Sequence, residues 1–80
     1  MMIKNYDWRD TELGDIFYYF NIEDGRIHGQ VHKIAHTKIW LSKVFKSNNE
    51  ELYLGQYISD TFAKKSVVDY WLTQERTLLE

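Results

Sequence analysis

Residues 40–71 read WLSKVFKSNNEELYLGQYISDTFAKKSVVDYW. Two runs rich in β-branched and aromatic residues, Lys38 to Phe45 and Leu52 to Ile58, flank the polar trio Ser47, Asn48 and Asn49, which is the pattern of two strands joined by a turn. Directly after the second run, Ser59 is placed to cap a helix and Asp60 to sit at the positive end of its dipole. Along that helix Ala63, Val67, Tyr70 or Trp71, and Gln74 fall close to one face, while Lys64, Lys65, Asp69 and Arg76 fall mostly elsewhere. A hairpin therefore feeds an amphipathic helix that lies on the sheet.

Working toward the N-terminus, Asp15 to Ile22 (DIFYYFNI) is a further strand, and Asp24-Gly25 is a tight-turn dipeptide. Beyond it Ile27, Gly29 and Val31 alternate with His28, Gln30 and His32, a period of two. The alternation slips at Ile34 to Thr37, where a bend or loop is expected. A helix over Arg26 to Lys46 is the competing reading, since Ile27, Val31 and Ile34 also fit helical spacing; Gly29 and the Asp-Gly turn count against it. The expected architecture is α+β, with a three- to four-stranded antiparallel sheet packed against one C-terminal helix. It forms one small domain over residues 1–80: an N-terminal segment 1–14, a sheet 15–58 and a helix 59–79. Leu78 and Leu79 either dock on the core, fray, or pair with another chain.

Eighty residues, 44% hydrophobic and 16% aromatic, suffice for one core and not for two. The absence of cysteine excludes disulfides and thiolate zinc sites and makes a reducing cytoplasmic setting the default. The N-terminal stretch has no signal-peptide pattern, and no apolar run approaches the ~20 residues that span a membrane. Net charge is −2, but the charges are segregated. Acidic residues dominate up to Asp24, whereas from Gly25 to Asn49 there is none, and Arg26, Lys33, Lys38, Lys43 and Lys46 accompany three histidines. This basic island is either the footprint of a polyanionic partner or the internal counterpart of the acidic N-terminal segment.

Alternation assigns the faces of the last two strands. If Trp40, Ser42 and Val44 meet the helix, Leu41, Lys43 and Phe45 point away, and likewise Leu52 and Leu54 point in while Glu51 and Tyr53 point out. The outer face is then too apolar for ordinary solvated sheet, so it binds a partner, supports self-association, or is covered by the segment containing Trp8.

Gly29-x-Val31, Trp40-Leu41-Ser42-Lys43-Val44, Leu52-Tyr53-Leu54-Gly55-Gln56-Tyr57, and Ala63 in a helix carrying Val67 together resemble the APETALA/ethylene-responsive-factor-like DNA-binding domain, whose relatives include phage homing endonuclease and integrase accessory domains. The resemblance implies a three-stranded sheet on one helix, with the outward sheet face entering the DNA major groove. By position it gives that role to His32 or Lys33, Lys43, Phe45, Glu51 and Tyr53, and it makes the strand over Asp15 to Ile22 an addition to the family pattern.

Other chemistry has little footing. His28, His32 and His36 recur every four residues, but four residues of strand span ~13 Å, too far for neighbouring imidazoles to share a metal ion. No nucleophile has a motif-level partner, and four scattered glycines form no phosphate-cradling loop. The expectation is a non-enzymatic binding module without cofactor or metal, with two readings of its partner. In the first, Arg26, His32, Lys33, Lys38, Lys43, Lys46 and Tyr53 bind nucleic acid, the cations on phosphate and Tyr53 or Phe45 on sugar or base. In the second, a phage-type accessory or inhibitor protein binds a protein partner, or forms a homodimer, through Leu41, Phe45 and Tyr53. The resemblance favours the first reading; the acidic net charge and the lack of arginine on the two central strands favour the second.

Overall fold

The computed structural model describes residues 6–46, 48 and 50–79, with side chains through Gln74. Five strands, β1 (Tyr6–Asp10), β2 (Ile16–Asn21), β3 (Ile27–Lys33), β4 (Trp40–Phe45) and β5 (Glu51–Tyr57), precede one helix, α1 (Asp60–Leu79). The strands form a single antiparallel meander in the order β1-β2-β3-β4-β5. The α+β architecture is as expected, with one strand more than the upper expected count. The extra strand is β1, inside the N-terminal segment 1–14, to which no strand or helix was assigned. Its sequence, YDWRD, alternates Tyr6 and Trp8 with Asp7 and Arg9, but over a run of five residues, three of them charged, which is too short to announce a strand. It does not cover the outer face of the sheet; it lengthens the sheet by pairing with β2.

The hairpin connections follow local chemistry. At the β2–β3 turn Asn21 Oδ1 accepts the amides of Glu23 (2.8 Å) and Asp24 (3.2 Å), and Gly25 adopts a φ of 73°, a left-handed conformation that glycine takes without penalty. At the β3–β4 loop the Thr37 hydroxyl donates to the Ile34 carbonyl (2.7 Å) and accepts from the Ile39 amide (3.1 Å). This loop runs further than expected, so β4 begins at Trp40, not at Lys38. Of the Ser47, Asn48 and Asn49 turn, only Asn48 lies within the described residues; its Oδ1 accepts the Glu50 amide at 3.2 Å. Two register shifts, at Tyr19/Phe20 opposite the start of β3 and at Ser42/Lys43 opposite Leu54 and Gly55, bulge β3 and β5.

Ser59 caps α1 as expected, its hydroxyl accepting the Phe62 amide at 3.2 Å. The helix packs on β3, β4 and β5. Between the layers lie Val31, Val44, Ala63 and Val67, all fully buried, with Tyr19. Beyond the helix edge, the same side of β1 and β2 is closed by rings: Tyr6 stacks on Tyr19 at 4.9 Å and Trp8 sits 4.8 Å from Tyr19. Lys64, expected away from the core, instead bridges helix and sheet, its ammonium 3.6 Å from the centre of the Phe17 ring and 5.6 Å from that of Trp8. The long stem lets the charge reach an electron-rich ring while its methylenes cover apolar surface. The side chains of Arg76, Leu78 and Leu79 lie outside the described residues. Among the described residues no helix is long and apolar enough to cross a membrane.

Candidate functional site: the open face of the sheet

The helix covers one face of the sheet, and the described residues place nothing over the other. Trp40, Ser42, Val44 and Leu52 turn to the helix as alternation requires, and Leu54 joins them at the β5 bulge. Leu41, Lys43, Phe45, Glu51 and Tyr53 consequently point outward.

Strand register then assembles a row that no single strand reveals. Arg9 pairs with Tyr18, Tyr18 with Gln30, Gln30 with Lys43, and Lys43 with Tyr53. Each member lies on the open face, because its chain neighbours Trp8, Phe17, Tyr19, Val31, Val44 and Leu52 belong to the core. The row thus runs cation, phenol, amide, cation, phenol across all five strands. A second row, Ile16, His32, Leu41 and Gln56, lies beside it.

Several contacts shape this face. The Arg9 guanidinium lies over the Phe20 ring at 4.6 Å, and with Tyr18, Ile27 and Gly25 these residues line a shallow hollow of about 300 Å³. Lys43 bonds Glu51 at 2.9 Å and stands 5.5 Å from the centre of the Phe45 ring. Tyr53 is 55% exposed. His32 keeps Nδ1 buried and without a hydrogen-bond partner among the described residues.

The basic island does not form one surface. Lys43, His32 and Tyr53 share the open face. Lys33 pairs with Trp40, which places it on the helix side, so of His32 and Lys33 it is His32 that lies on the open face. Lys33 and Lys38 belong to the end of the sheet that carries the β3–β4 loop. Arg26 and Lys46 meet at the opposite end, where they line a cleft of about 710 Å³ together with His28, Phe45, Tyr70 and Trp71. Among the described residues no lysine or arginine of the island pairs with the acidic N-terminal segment; the ion pairs are Lys43–Glu51, Lys64–Asp60 and Lys65–Asp69.

The three histidines separate for a structural reason. Simple alternation would place His28 and His32 on one face, but the bulge at the start of β3 turns His28 toward the helix. There its ring meets Tyr6 (5.2 Å) and Trp71 (5.3 Å) edge-on, and its carbonyl accepts the Trp71 indole N–H at 3.0 Å. His36 lies in the β3–β4 loop with a φ of 64°.

Arg9, Tyr18 and Gln30 went unrecognised in the sequence as members of this face. The signal for Tyr18 was present in the alternation of Ile16, Tyr18 and Phe20 against Phe17 and Tyr19; the signal for Arg9 was no more than the alternation of Tyr6 and Trp8 with Asp7 and Arg9 in a five-residue run. Compared with known proteins, the chain matches no family model, no curated protein and no solved structure.

Proposed function

We propose that this chain is a small non-enzymatic binding module that takes nucleic acid on the open face of its sheet. The observation that carries the reading is the registered row Arg9, Tyr18, Gln30, Lys43, Tyr53. It combines cations for phosphate, an amide for base edges and aromatic rings for stacking on one uncovered surface. The Lys43–Glu51 pair does not stand in the way, since a solvent-facing ion pair contributes only ~0–1 kcal/mol and a phosphate can take the place of the carboxylate. The resemblance to the APETALA/ethylene-responsive-factor-like domain points to the same face, and the lack of cysteine fits a cytoplasmic setting.

A second reading, binding of a protein partner or a second copy through Leu41, Phe45 and Tyr53, is favoured by a specific observation. Arg26 and Lys46 stand at one end of the sheet and Lys33 and Lys38 at the other, which leaves Lys43 as the basic island's one lysine or arginine beside Leu41, Phe45 and Tyr53 on the open face.

The deciding experiment is fluorescence anisotropy with labelled nucleic acids at two salt concentrations. The Arg9→Glu/Lys43→Glu variant is expected to abolish salt-sensitive binding, while Lys33→Glu/Lys38→Glu, at the far end, weakens it modestly. A wild-type protein that binds no nucleic acid even at low salt sinks the first reading. Salt-independent self-association lost in Phe45→Asp would establish the second.

A further inference from the structure

We infer that the nucleic acid recognised by the open face is single-stranded; this rests on the reading above and specifies its ligand. The argument is one of width. The major groove of B-DNA is ~12 Å across and admits a helix or a two-stranded ribbon. Strands lie ~4.8 Å apart, so the row from Arg9 on β1 to Tyr53 on β5 crosses four spacings and extends ~19 Å. A three-stranded sheet is about half as wide. Here β1 and β2 continue the sheet past β3 and bring the Arg9–Phe20 stack and the Tyr18 side chain onto the very face that would have to enter the groove. The added strands block the duplex mode and at the same time supply the parts that a single strand requires.

Those parts are surfaces on which unpaired bases can stack. Tyr18 and Tyr53 stand three strand spacings apart, ~14 Å, with Gln30 and Lys43 between them. Arg9 lies over Phe20, and a guanidinium plane stacks bases as an aromatic ring does. The hollow of about 300 Å³ beside Arg9, Tyr18, Phe20 and Ile27 offers a concave seat, which suits a base swung out of a stack and not the convex edge of a paired helix. Arg9 and Lys43 on the face are the phosphate contacts. Two such contacts give a dependence of log affinity on log salt of about −1.4 for a single strand.

The test uses the full chain and a labelled pyrimidine strand of about 15 nucleotides, as DNA and as RNA, each alone and annealed to its complement, by anisotropy at low and moderate salt. The expected result is binding of the single strand at least tenfold tighter than of the duplex. Tyr18→Ala and Tyr53→Ala should each lower single-strand affinity by roughly tenfold. The DNA and RNA arms report which sugar is preferred. Duplex binding as tight as or tighter than single-strand binding overturns this inference while leaving the nucleic-acid reading intact. Single-strand binding unchanged by both tyrosine substitutions also overturns it. Binding of neither form at low salt removes the nucleic-acid reading itself.

Discussion

Gly29 is the residue at which the two layers approach most closely. A β-carbon there would stand 2.6 Å from Val67 Cγ1 and 3.3 Å from the Lys43 carbonyl oxygen, and the backbone oxygen cannot yield without disturbing the β3–β4 ladder. Gly29→Ala is expected to destabilise the protein by about 2 kcal/mol, measured as a fall in the urea midpoint. Ser42, 1% exposed, illustrates a different constraint. The Ser66 hydroxyl spends its proton on the Ala63 carbonyl at 2.7 Å, so across the 2.8 Å Ser42–Ser66 contact Ser42 must be the donor. Ser66→Ala strands that buried donor, whereas Ser42→Ala leaves Ser66 with its donor still satisfied. The first substitution should therefore cost more, about 2 against about 1 kcal/mol, and the double variant should recover part of the loss. A double-mutant cycle by chemical denaturation checks both. In the sequence Gly29 was legible only as a strand residue and Ser42 only as inward-facing; that a valine and a serine of a helix more than twenty residues away lie opposite them is tertiary information.

At the scale of elements, α1 and β3 to β5 were legible because each carries a repeating pattern bounded by turn or cap chemistry. Ser59→Ala should lower stability by about 1 kcal/mol through loss of the bond to the Phe62 amide, visible in the thermal midpoint. The strand β1 was not legible, since what holds it is a pairing partner and two rings. Trp8 rests on Tyr19 and is approached by Lys64 from α1, so the strand is part of the core assembly and not an ornament of the edge. Trp8→Ala is expected to cost about 3 kcal/mol, a value that a dispensable N-terminal arm would not produce; urea denaturation measures it. The bulges were equally hidden. A period-two pattern carries no mark of an extra residue, yet one bulge turns His28 to the helix, where its carbonyl leaves the ladder and is satisfied by the Trp71 indole.

At the scale of the whole molecule, the helix covers one face of the sheet and the described residues leave the other open, so the two faces differ in what a substitution costs. Substitutions on the helix side should unfold the protein and those on the open face should not. Val67→Ala, at a fully buried position, is expected to cost about 2 kcal/mol, whereas Tyr53→Ala should remain within ~0.5 kcal/mol of the parent, both read from denaturation curves. For a domain whose total stability is of order 5–10 kcal/mol, that contrast makes open-face variants usable in binding experiments without loss of fold. The sequence by itself determined the α+β class, the span of the helix and its cap, and which side of β4 and β5 meets the core, because hydrophobic period, turn residues and capping are local and act within a few positions. Only the tertiary structure decided that the N-terminal segment is a fifth strand, that the basic island divides between opposite ends of the sheet, and that Arg9, Tyr18, Gln30, Lys43 and Tyr53 share one row. Strand order and register are set by pairings between residues far apart in the chain, whose free energy depends on all the partners together and is written in no one segment.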